Sequence, residues 1–358
     1  MQKGGTALAL LGAIVGAGFA SGREVLRFFT RYGAMGWVGI AVACAFMGCC
    51  AYFVMRAAGR CRAGTFSDLC RAYGGPLAER AAGFLYGVLM ALTGGAMTAA
   101  FAELTALVLP VRGAYVIGFA AAVLLGVLCS HRDLRLLELM GRLLLPLFLA
   151  MLILLLPLPV REEALLLGGG HAAAAPALGL LYGALNMGMT AGILCEAGKR
   201  LSPAACGREA AMLTAMLALL TGLANAVLLR HGASVERSAL PFVALSMRLG
   251  RVGYALCAAV LGLAVLSTLT AAMRALRGSL RLSVRAADAA CAGCCVLCGA
   301  LGFDRLIGRG YPLLGGACAV FLCALLVRAA TDRGEKAGPR TVGDGAGKGK
   351  RAFSIKAR

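Results

Sequence analysis

Long apolar runs alternate with short polar, arginine-bearing segments along almost the whole chain. Ten runs reach or approach the roughly 20 residues that a helix needs to cross a bilayer. They cover residues 4–31, 35–56, 80–109, 112–130, 136–158, 174–197, 208–230, 251–275, 286–303 and 311–330. The pattern predicts an all-α, polytopic membrane protein with about ten transmembrane helices. Two stretches between runs read as short interfacial helices: "TFSDLCRAYGG" before the third run, and "SVERSALPFVALSMRLG" before the eighth, the latter on the outer face. From residue 332 the chain is rich in glycine and basic side chains and has almost nothing to bury. A transmembrane domain over 1–331 followed by a disordered cytoplasmic tail over 332–358 is therefore expected. The first run follows Met1-Gln2-Lys3 as a signal peptide would, but it is too long, carries charges and lacks a clear cleavage site, so it is expected to be retained.

Two runs break the apolar pattern. The first contains "GAIVGAGFASGREV", residues 12–25, where Gly12, Gly16, Gly18 and Gly22 join Ser21, Arg23 and Glu24. Glycine at that density holds a helix poorly. An interruption at membrane depth frees amides and carbonyls, which must then meet a ligand, water or another part of the protein. The sixth run, "APALGLLYGALNMGMTAGILCEAGKR", places Gly183, Gly188, Gly192 and Asn186 in the middle of its span. It follows the first by about half the length of the apolar region. Five spans per half would set the halves, about 4–158 and 174–330, in opposite orientations, the arrangement of an inverted-repeat transporter with broken first and sixth helices. Glycine also lets membrane helices approach closely, so for the sixth run packing stays open beside a break.

Composition supports the membrane reading. Apolar residues make up 60% of 358 positions and charged residues 15%, a balance that excludes an ordinary water-soluble domain. The net charge of +20 raises the possibility of a nucleic-acid partner. With the N-terminus inside, however, the larger share of Lys and Arg falls in cytoplasmic loops and the tail, the bias that orients membrane proteins. The basic excess thus reports topology and anionic lipid, with both termini cytoplasmic in a bacterial plasma membrane and no nucleic acid involved. Fifteen cysteines include "CAGCCVLC" at 291–298, but these lie in an apolar run without His or acidic partners, where thiols behave as small buried hydrophobes. His131, His171 and His231 read as loop residues, so no buried histidine pair is available for haem. The expectation is a non-enzyme with no resident cofactor.

Few residues in the runs carry chemistry. Ser267, Thr268 and Thr270 interrupt the eighth; they can bond back to the preceding turn, or serve as oxygen donors to a small hard cation. Glu103, near the outer end of the third run, is an ionisable group within a span and therefore a gating or coupling candidate, with a salt bridge to Arg112 as the alternative. Glu24 and Glu196 sit at helix ends, where Arg23, or Lys199 and Arg200, could pair with them. Tyr182 lies one helical turn before Asn186 and could face the same cavity.

The opening segment, "GAIVGAGFASGREVLRFFTRYG", resembles the start of the YkvI family of bacterial membrane proteins, relatives of the amino acid-polyamine-cation transporters with a LeuT-type fold. The resemblance implies unwound first and sixth helices around substrate and a sodium ion between the first and eighth helices. The sodium-symporter pattern Gly-x-x-Val-Gly-x-Gly is similar to residues 12–18, which implies Gly12 and Val15 carbonyls as ion ligands. The eighth-helix pattern is similar to Ala264-Val265-Leu266-Ser267-Thr268, which implies Ala264, Ser267 and Thr268 as the remainder of the sodium site. Phe19 stands where those symporters carry the asparagine of a second sodium site, and no lysine appears in any run to replace a cation. The expected function is a cation-coupled secondary transporter, with sodium as the favoured ion, of an amino acid or related small solute. Its expected substrate site is Gly16, Ala17, Gly18, Phe19, Ala20, Ser21, Gly22, Tyr182, Asn186 and Gly188, with Arg23, Glu24 and Glu103 in gating or coupling. After the first break, a half-helix N-terminus would offer amides to a substrate carboxylate. A receptor or sensor that keeps the fold without transporting is the alternative.

Overall fold

The structure is a computed structural model that describes residues 5–132, 134–159, 172–236, 238–280 and 282–331. The tail expected after residue 331 and His171 lie outside these residues. The described chain is helical: α1 Gly5–Ile14, α2 Ala17–Ala20, α3 Arg23–Phe28, α4 Met35–Cys61, α5 Phe66–Val108, α6 Ala114–Ser130, α7 Leu134–Leu155, α8 Ala175–Arg200, α9 Pro203–Val235, α10 Pro241–Ser246, α11 Gly250–Ser279, α12 Val284–Gly299, α13 Phe303–Arg305 and α14 Tyr311–Thr331. Among the described residues six segments are long and apolar enough to cross a membrane: α4, α5, α8, α9, α11 together with α10, and α14 together with α13. The helices α6 and α12 have 17 and 16 residues. At 1.5 Å per residue each is about 25 Å long, short of the roughly 30 Å hydrocarbon core. Large apolar side chains face outward on α6 (Val116, Leu124, Leu128), α12 (Leu297) and α14 (Leu313, Val320), as a lipid-facing surface requires.

The first apolar run folds as three pieces, α1, α2 and α3. The sixth does not break: α8 is one helix of 26 residues, which corrects the expectation of a second interruption. Its glycines are used for contact. An ideal Cβ at Gly179 would lie 2.2 Å from Gly39 O of α4, and one at Gly198 would lie 2.1 Å from Met55 O. On the other side of α8, a Cβ at Gly315 of α14 would lie 2.5 Å from Leu181 O. The helix α8 is thus clamped between α4 and α14, and its polar groups bond along its own axis: Asn186 Nδ2 donates to Tyr182 O at 2.9 Å and Thr190 Oγ1 to Asn186 O at 2.8 Å.

The two stretches expected at the interface behave differently. "TFSDLCRAYGG" opens α5 with a capping box, in which Asp68 N donates to Thr65 Oγ1 and Thr65 N to Asp68 Oδ2, both at 3.1 Å. Gly75 at φ 76°, followed by Pro76, then kinks α5 and sets this segment off from the rest of the helix. The second stretch forms α10, and it is inserted into the protein rather than laid on a face: Phe242, Val243, Leu245 and Ser246 are buried. His231, read as a loop residue, is buried in the last turns of α9.

Candidate functional site

The break between α1 and α2 follows from where the amides turn. Gly16 N donates to Ile14 O at 2.7 Å, so the Gly12 carbonyl loses the partner that an unbroken helix would supply. The chain resumes as α2, only four residues long, and turns again at Gly22, whose φ of 82° lies in the left-handed region. Ser21 Oγ closes this second break from within, donating to Gly18 O at 3.0 Å and accepting from Arg23 N at 3.2 Å. The protein itself takes the Ser21 carbonyl: Phe242 N of α10 donates to it at 2.9 Å. With four residues in α2 and six in α3, the half-helix expected after the break is too short to act as a strong anion-binding terminus.

Aromatic rings fill the space around the breaks. Phe19 packs on Phe148 of α7 at 5.4 Å between ring centroids, and Phe148 packs on Phe242 of α10 at 6.2 Å. Phe28 and Phe29 each lie 5.2 Å from the Tyr182 ring of α8. Pattern alone did not single out Phe148 or Phe242, since a phenylalanine in an apolar run gives no sign of facing a break.

The sequence-predicted ion residues meet in part. Gly16 sits directly against α11, with Thr268 Oγ1 3.1 Å from its ideal Cβ position. Ser267 Oγ and Thr268 Oγ1 both donate to Ala264 O at 2.9 Å, so in this form their protons are turned back along α11. Val15 and Ala264 are buried beside them in the core. Gly12 instead faces α7, 3.7 Å from Gly141 Cα by the same measure.

Of the substrate candidates, Ala17, Gly18, Phe19, Ala20, Ser21, Tyr182 and Asn186 are buried around the break. Gly188 is not among them in space. It turns to Cys318 and Leu89 and lines a small apolar cavity with Phe66, Tyr86 and Phe321.

The charged candidates separate. Arg23 does not pair with Glu24: its guanidinium binds the Asp304 carboxylate of α13, with Nε to Oδ1 at 2.7 Å, and NH1 donates to Glu236 O at 2.6 Å and to Ser238 O at 3.1 Å. It thereby ties α3 to the α9–α10 connection and to α13. Adjacent residues on a helix point about 100° apart, and Glu24 accordingly points inward. It is 6% exposed, with Oε1 only 1.9 Å from the ideal Cβ position of Gly18. Glu103 is half-buried on α5; its charged neighbour is Asp304, and it makes no ion pair with Arg112 among the described residues. Glu196 pairs with Arg200 at 2.5 Å on exposed α8 surface. All fifteen cysteines are free, and no cluster of His, Cys, Asp or Glu among the described residues could hold a metal ion.

No family model matches the sequence, and no curated protein matches it. Solved structures do. A nucleobase-cation-symport-1 family transporter, Mhp1, in a closed conformation with bromovinylhydantoin bound, is similar with a TM-score of 0.64 and 16% identity over 90% of this chain and 76% of that one. A manganese transporter from Eremococcus coleocola, in two variant forms, is similar with TM-scores of 0.55 and 0.54 and 14% identity, over 91% of this chain and 78% of that one. At 14–16% identity the likeness concerns the fold alone; the described residues of this chain form a helical bundle.

Proposed function

We propose that this chain is a cation-coupled secondary transporter of a small solute, an amino acid or a related compound, working by alternating access in a bacterial plasma membrane. The carrying observation is the contact between the first break and α11, where Gly16 packs on Thr268 Oγ1. An unwound backbone against paired hydroxyls is a place where carbonyl and hydroxyl oxygens can jointly hold a small cation. The likeness in fold to a symporter and to a manganese transporter supports transport as the use of this break. In this reading the chain has ten spans in two inverted halves, with α1–α3, α6, α7 and α12 completing the six long spans, and both termini are cytoplasmic. In the same reading Gly12 and Val15 carbonyls with Ala264, Ser267 and Thr268 would hold the sodium ion, and the amino-acid class is suggested by the resemblance of the opening segment to the YkvI family.

The test is uptake of labelled amino acids into proteoliposomes under sodium, lithium, potassium or proton gradients. Accumulation driven by one gradient is the expected outcome. Saturable binding without accumulation under any gradient would replace the transporter with a receptor of the same fold. If sodium drives uptake, Ser267→Ala with Thr268→Ala is expected to weaken sodium dependence by about tenfold, the effect of losing roughly 1.4 kcal/mol of ion binding; unchanged sodium affinity would remove this ion site.

A further inference from the structure

Glu24 is a buried acid at the first break, and among the described residues no Lys, Arg or His pairs with it. The titratable groups that face it are Tyr182 from α8 and Tyr311 from α14, 1% and 2% exposed. The α2 residues against it, Ala17–Ala20, bring no titratable group. On its own helix, Arg23 is taken by Asp304 and Arg27 donates to Gly308 O at 3.3 Å. From α9, the buried Asn225 is engaged by the Thr30 hydroxyl at 2.9 Å. The next group beyond Tyr182 is the Cys44 thiol of α4, and the next beyond Tyr311 is the Thr93 hydroxyl of α5. The Tyr182 hydroxyl is fully buried and turned toward the Glu24 carboxyl, and the buried Thr93 hydroxyl faces Tyr311.

We infer that Glu24 is a proton-binding site: as buried here its carboxyl is the neutral acid, and uptake and release of that proton accompany rearrangement of the first break. An ionised carboxylate taken out of water without a cation is strongly disfavoured, whereas a neutral acid needs only hydrogen-bonding partners, which Tyr182 and Tyr311 can supply. The carboxyl also rests on Gly18, at the short α2 between the two interruptions. Ionisation at this point would pull the side chain away from Gly18 toward water and favour an open break. The step is a simple one: the carboxylate gains a proton from one side of the membrane to form the acid, and loses it to the other side. The proton here is additional to any sodium bound between Gly16 and Thr268. It also puts a neutralised acid near Phe19, which occupies the position of an ion-binding asparagine in the resembling symporters.

The inference rests on the transporter reading for its purpose, but its test does not. Infrared spectra of the purified full chain in detergent at neutral pH are expected to show a carboxylic-acid C=O band that shifts in D2O. Glu24→Gln, which keeps the shape and hydrogen-bonding capacity of the neutral acid, should remove it. Glu209→Gln should leave it, although Glu209 is also buried and accepts from Ala7 N at 2.9 Å. Should Glu24→Gln fail to fold, Tyr182→Phe is expected to shift the band by removing the hydroxyl that faces it. A band unmoved by either substitution, or no such band in the wild type, overturns the proton site. A Glu24 band in a protein that accumulates nothing in proteoliposomes leaves the proton site standing and removes the transporter. Sodium-driven uptake without the band does the reverse.

Discussion

Residues 12–22 carry four glycines and residues 179–198 carry five, both inside apolar runs, and the fold uses the two sets in opposite ways. In the first, glycine permits the backbone to leave the helix: Gly16 redirects its amide and Gly22 adopts a positive φ. In the second, the helix stays whole and the missing side chains let α8 touch the backbones of α4 and α14. What decides between them is the neighbourhood. The first segment faces polar atoms that can take up freed groups: Ser21 Oγ, the Phe242 amide and the α11 hydroxyls. Around α8 the glycines meet carbonyl oxygens already used in helices, so unwinding there would strand backbone groups without partners. Glycine content alone therefore marks a place where helices can either break or press together.

The sharpest way to break this comparison is to add a methyl group on each side. Gly179→Ala puts a Cβ 2.2 Å from Gly39 O, and a backbone oxygen inside a helix cannot rotate away. Overpacking of this kind destabilises by about 1–3 kcal/mol, and the upper end is expected here. The melting temperature in detergent should fall by several degrees and uptake should fall only with the amount of folded protein. An unchanged melt would mean that the α4–α8 seam is looser than described. Gly18→Ala is expected to behave the other way. Its Cβ collides with the Glu24 carboxyl, the end of a flexible side chain that can swing aside, so the loss of stability should stay near about 1 kcal/mol. Displacing that carboxyl from the break should lower uptake on the order of tenfold to a hundredfold, as small misplacements in a working site do. Uptake that tracks the melt in both variants would erase the distinction between the two glycine-rich regions.

The same contrast explains what could be read from the sequence. Apolar run length predicted a helical membrane chain, and six described segments are long and apolar enough to cross a bilayer, because span length is set locally by the bilayer. The first break was legible from Gly12 to Gly22 for the same reason: no long-range information is needed to know that such a stretch holds a helix poorly. The unbroken α8 was not, since packing glycines and unwinding glycines are the same residue seen against different neighbours. Burial of α10 was hidden as well, because "PFVALS" has the composition of an interfacial segment and only the Phe242–Ser21 bond and the Phe148 contact draw it inward. The polar group around Glu24 draws on α3, α5, α8 and α14, nearly 290 residues apart at the extremes, and Tyr311 and Thr93 gave no sign in the sequence of belonging to it.

The smallest expected effect concerns the tie between the first region and α13, the Arg23–Asp304 pair. Asp304 is 63% exposed, and an ion pair so open to water contributes about 0–1 kcal/mol. Asp304→Asn should therefore leave the melting temperature nearly unchanged. Arg23 would keep its bonds to the Glu236 and Ser238 carbonyls, so the α9–α10 connection stays attached while α13 is released. Hydrogen exchange should rise at α13 and at the following turn, residues 303–310, and much less at α10, whose Phe242 amide is held by Ser21 O. Raising the salt concentration should reproduce part of this in the wild type, because screening weakens an exposed pair and hardly touches the buried backbone bond. Equal exchange at α10 and α13 in the variant would show that Asp304 holds the whole cover. The seal over the first break would then depend on a surface charge, and the buried aromatic and backbone contacts would not suffice to keep it closed.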